Sequence, residues 1–190
     1  MNKPKKFYMF GIGLLIALIV VSASMFVKVH NEKCYWQAQA ANNNYSNWSQ
    51  IHFMTTQIEK IGFTKEAIEE MRLYINGILF ATESNLSPHF SSTTTTLFLM
   101  HYYDGLALEI SNSQKLDDEE LQLAIDLFKD ATKDLKELSW TILEMAEEPD
   151  GKLQLLDADS ALYKQAEEMT EEYSEEYSER ISNFFSGLEN

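Results

Sequence analysis

The 190-residue chain carries 15 Lys and Arg against 30 Asp and Glu, a formal charge of −15. That balance excludes a nucleic-acid binder, because gripping a polyanion relies on basic side chains that displace its counterions. A single cysteine excludes a disulfide framework, so any folded part must be held by its core.

The first element follows Lys3, Lys5 and Lys6. From Phe7 to Val27 no residue is charged, and Lys28 restores polarity. Twenty-one residues make a helix of roughly 32 Å, enough to cross a hydrocarbon core of about 30 Å. The expected organisation is a basic tail at 1–6, a transmembrane helix at 7–27 and an extracytoplasmic domain at 28–190, with the lysines kept cytoplasmic by the positive-inside bias. A cleaved signal peptide is the alternative, cut near Ala23 or Ser24. The apolar run through Met25, Phe26 and Val27 is longer than a signal core and favours a retained anchor. Asn31, Glu32 and Lys33 before Cys34 do not fit a lipid-attachment site.

Beyond Lys28 the chain holds 11 basic and 30 acidic residues, a formal charge of −19. Anionic headgroups repel such a domain, which leaves tethering to the apolar segment. Cys34, just past that segment, is a candidate for a disulfide between two copies. Tyr35 and Trp36 either anchor at the interface or begin the core.

Trp48, Ile51, Met54, Ile58 and Ile61 recur at helical spacing until Gly62. Thr64 can cap a helix over 65–84 with Ile68, Met71, Ile75 and Ile78 inward. Leu86 to Thr96, with Pro88 and four threonines, reads as a mobile loop. A helix resumes through Leu99, Tyr103, Leu106 and Ile110.

The clearest element spans 118–147. Leu121, Ala124, Phe128, Ala131, Leu135, Leu138, Ile142 and Met145 step alternately by three and four, forming one seam. Asp117 with Glu120, preceded by Leu116, resembles a capping box with a hydrophobic staple. Pro149, Asp150 and Gly151 make a turn, and the last helix is expected to begin near Asp157 or Asp159. Its stripe is Leu162, Ala166, Met169, Tyr173, Tyr177, Ile181 and Phe184 among many glutamates. Short connections predict an all-α fold, an up-and-down bundle of four or five helices outside the membrane. A coiled-coil dimer through the 121–145 seam is the rival.

Reaction signatures are missing from the sequence. Three residues before His52, His89 and His101 stand Ser49, Leu86 and Phe98, so the Glu-x-x-His pattern of di-metal bundles fails. His101 and Asp104 share a face, yet one such pair is far from a ligand set. Asp157, Asp159 and Glu168 fit three positions of a calcium loop, but Ala161 and Leu162 stand where an oxygen ligand and a glycine belong. Asn44, Asn47 and Asn85 open formal glycosylation sequons that arise readily by chance. No enzyme activity, cofactor or metal is expected. The layout is similar to that of many small single-span bacterial proteins.

The expected role is interaction or scaffolding: a tethered domain that binds another exported or envelope protein, with self-association as a further option. The alternatives are capture of a cationic peptide or metal ions, as in an immunity module, and an accessory subunit of an envelope sensor. The candidate surface is Glu171, Glu172, Glu175 and Glu176 with Tyr173 and Tyr177.

Overall fold

The computed structural model describes residues 3–84, 98–112 and 116–188. Those residues form helices and, among the described residues, no strand. The chain divides into two compact units, Met1–Gln39 and Ala40–Asn190.

Helix α1 runs from Lys3 to Ile61 without interruption. Neither Gly nor Pro occurs from Leu14 to Ile61, so nothing in the backbone chemistry stops it. The apolar N-terminal segment and the first stripe belong to one helix, where the periodicity alone suggests two elements. The apolar side chains from Ile12 to Val27 are exposed, and the helix is long and apolar enough to cross a membrane. Gly62 ends it with φ +102°, a left-handed conformation that costs glycine little.

Helix α2, Lys65–Ser84, starts as expected: the Thr64 hydroxyl accepts from the Ala67 N–H at 3.3 Å. Ile68, Met71, Ile75 and Ile78 are buried. The expected loop at 86–96 lies outside the described residues. A π-helical turn at Phe98–Tyr103 leads into α3, Asp104–Ser111. This wider turn is a departure from the regular helix expected there. It brings Phe98 and Leu99 into the core together with Tyr103.

Helix α4, Asp118–Ala146, opens with a complete capping box. The Asp117 carboxylate accepts from the N–H groups of Glu119 and Glu120, and Glu120 accepts from the Asp117 N–H. Seven of the eight seam residues are buried and Leu121 is half-buried. Leu127, Thr132, Ser139 and Leu143 are buried as well, so α4 is covered on more than one stripe by its own chain. The seam is buried within the single chain.

After Ala146 the chain forms a short helix, α5, at Gly151–Gln154, which the turn signals hide. Gly151 is required there: a Cβ would sit 2.2 Å from the Met145 carbonyl oxygen. Helix α6 spans Ala161–Leu188, starting later than the acidic residues suggest. Ser160 rather than Asp157 or Asp159 accepts from the Tyr163 N–H at 3.0 Å, while Asp157 instead closes a tight turn onto the Asp159 N–H.

One core joins these helices within residues 40–190. Its centre is aromatic. Tyr103 stacks on Phe128 at 4.6 Å between centroids, and Phe98 meets Tyr173 edge-on at 5.1 Å. The Thr132 hydroxyl donates to the Phe128 carbonyl, so Tyr103 donates to Thr132 at 2.6 Å. Tyr173 donates to the Ala131 carbonyl at 2.9 Å.

Candidate functional site

Two grooves in residues 40–190 present contrasting chemistry. The first lies between α1 and α2 and encloses about 400 Å³. Ser46, Ser49, Gln50, Phe53 and Met54 line one side, with Leu73, Tyr74, Gly77 and Ile78 on the other. Met54 and Ile78 are buried residues of the core. Phe53, Leu73 and Tyr74 are different, with relative exposures of 57%, 79% and 50%. They lie off the buried stripes of their own helices, so neither α1 nor α2 is apolar on one face only. Gly77 has no side chain to fill the space beside them, which keeps the groove open.

Sequence reasoning missed these residues. The signal was present: Phe53 is one step before Met54, and Leu73 and Tyr74 sit between Met71 and Ile75, outside the three-and-four pattern. A pattern search that rewards residues on the stripe discards those beside it.

The second groove, about 280 Å³, runs between α4 and α6. Four of the six residues selected from sequence meet there. Glu172 and Glu176 of α6 face Asp134 and Glu137 of α4, above a floor that includes Leu138, Met169, Tyr173 and Tyr177. Glu171 and Glu175 are exposed but do not line it. The tyrosines leave the candidate surface as a ridge, because both rings are buried. Their hydroxyls are committed: Tyr177 donates to Asp134, and Tyr173 to the Ala131 carbonyl. Burial, reinforced by the bonded Asp134 carboxylate, holds the Tyr177 phenol well above the ordinary tyrosine range, and burial does the same for Tyr173. Arg180 pairs with Asp130 at 3.2 Å and with Glu176 at 3.5 Å.

No family model matches the chain, and neither does a curated protein or a solved structure. The site is therefore read from its own chemistry.

The remaining candidates separate clearly. Cys34 is exposed, with His30 Nε2 3.7 Å from its sulfur, and Tyr35 and Trp36 are exposed beside it. Asp104 accepts from Arg72 at 3.4 Å rather than joining His101, which is exposed. Among the described residues no three His, Cys, Asp or Glu side chains converge as a metal set. Asn44 and Asn47 are buried, so folding hides both sequon amides, while Asn85 lies outside the described residues.

Proposed function

We propose that the chain is a membrane-tethered, non-enzymatic interaction protein. Residues 7–27 form the span, the basic tail stays in the cytoplasm, and the acidic helical part acts outside as an up-and-down bundle that binds another exported or envelope protein. The observation that carries this reading is the open groove of Phe53, Leu73 and Tyr74 on an otherwise acidic surface. Exposed apolar groups gathered in one concavity mark binding sites on soluble surfaces.

A photoreactive amino acid placed at position 53 or 74 of the full chain, in intact cells, tests it. A discrete adduct with a second protein is expected, weakened when Leu73→Ser is added. Adducts only between copies of the chain, or none, would end the reading. External protease should digest the domain beyond Lys28, and protection of that domain reverses the orientation.

A second reading has its own observation. The carboxylates of Asp134, Glu137, Glu172 and Glu176 line one groove, which suits capture of a cationic peptide. This mode requires binding that falls steeply with salt, since exposed charges are screened over about 8 Å at physiological ionic strength. Basic peptides that bind equally well after Glu172→Gln and Glu176→Gln would remove it.

A further inference from the structure

The apolar groove between α1 and α2 continues along α2 into charge. Glu66, Glu69 and Glu70 are exposed on the turns that precede Leu73 and Tyr74. Residues 66, 70, 73, 74 and 77 follow the three-and-four spacing of one helix face, so the acidic and apolar groups lie along a single line. An occupant must satisfy both halves: large apolar side chains for the groove and positive charge for the glutamates beside it.

We propose that this groove receives a basic amphipathic helix of another protein, its apolar stripe set against Phe53, Leu73 and Tyr74 and its Lys or Arg residues against Glu66, Glu69 and Glu70. The assignment rests on the reading of the chain as an interaction protein and adds the class of partner. Charge selects among the occupants. A second copy brings another formal −19 beyond Lys28 and is repelled, and an anionic lipid surface is repelled for the same reason. A basic segment is attracted, and its approach is accelerated by the same field. Geometry selects the helix. The groove lies between two helices, and among the described residues no strand edge exists to which an extended peptide could add. Side chains at three-and-four spacing entering a groove between helices are the recognition mode that suits this geometry.

The test uses the full chain in nanodiscs of zwitterionic lipid. The probe is a synthetic amphipathic Leu–Lys helix, compared with a peptide of the same composition in scrambled order. The ordered peptide should bind at least about tenfold tighter than the scrambled one, a difference that charge alone cannot produce. Leu73→Ser or Phe53→Ser should each remove most of that difference, and because both side chains are exposed the fold is retained, as circular dichroism can verify. Glu69→Gln with Glu70→Gln should weaken binding at low salt and flatten its salt dependence. Equal binding of the two peptides overturns the proposal. So does binding that is lost on Glu172→Gln with Glu176→Gln but unmoved by Leu73→Ser, which moves the site to the α4–α6 groove. If the in-cell adduct at position 53 forms while the ordered peptide fails, the partner class falls and the interaction reading stands. If neither forms, both fall.

Discussion

At the scale of single residues, α1 carries an unusual burden. Asn44 Oδ1, both polar atoms of Asn47 and Thr56 Oγ1 are buried without a hydrogen-bond partner. Each such group costs about 1–3 kcal/mol of desolvation that nothing returns. Asn47→Leu, close in volume and free of polar atoms, should therefore stabilise the domain by about 1–3 kcal/mol in chemical denaturation. Asn42→Leu, on the exposed side of the same helix, should change it by no more than about 0.5 kcal/mol. The reverse case is Leu135, fully buried at the middle of the α4 seam. Leu135→Ala should cost about 2–5 kcal/mol, against no more than about 0.5 kcal/mol for exposed Lys133→Ala. Equal small effects at 135 and 133 would mean that the seam does not carry the core.

At the scale of elements, the ends of helices divide into those built from side chains and those built from backbone space. Thr64, Asp117 and Ser160 supply oxygens to orphan N–H groups, and their residue types announce it. Gly151 works by exclusion, allowing the start of α5 to fold against the carbonyl of Met145. Gly151→Ala should thus destabilise by more than about 1 kcal/mol, because the displaced group is main chain and cannot swing aside. Gly105→Ala in α3 meets nothing within 4 Å and should stabilise by roughly 0.5–1 kcal/mol through helix propensity. Thermal unfolding of the two variants, shifting in opposite directions, would verify the contrast. A similar response would show that the 146–151 turn relaxes.

At the scale of the whole folded part, the core depends on phenols drawn from separate elements. Burial holds Tyr103, Tyr173 and Tyr177 protonated above the ordinary tyrosine range, with the Asp134 carboxylate adding to it at Tyr177. A phenol that binds its proton more tightly folded than unfolded stabilises the fold fully below the unfolded value of about 10. That contribution is lost as pH rises beyond it, since the unfolded chain then gains by ionising. Stability should accordingly fall as pH is raised from about 9 to about 11. Urea midpoints across that range check the slope. Tyr103→Phe, which removes one ionisation, should make it shallower, and an unchanged slope would assign the alkaline loss to other groups.

The all-helical class, the apolar N-terminal segment, the caps at Thr64 and Asp117 and the buried stripes of α2, α4 and α6 were legible because each depends on neighbours within one or two turns. Helical period, a capping oxygen and a glycine at a helix end act locally, so the order of residues is enough. The continuity of α1 was equally available in its lack of breakers, yet the change from apolar to polar composition masked it. Other features depend on distance in the sequence, and residue order gives them at most a partial signal. The stripe spacing already points Tyr173 and Tyr177 inward, but the groups that receive them, Phe98, Ala131 and Asp134, lie on other helices. The exposure of Phe53, Leu73 and Tyr74 follows from which faces of α1 and α2 the core consumes and which it leaves uncovered. The meeting of Glu172 and Glu176 with Asp134 and Glu137 likewise needs α4 and α6 side by side. Periodicity tells which residues share a face, but a face is buried or open only according to what packs on it, and packing is decided between helices rather than within them.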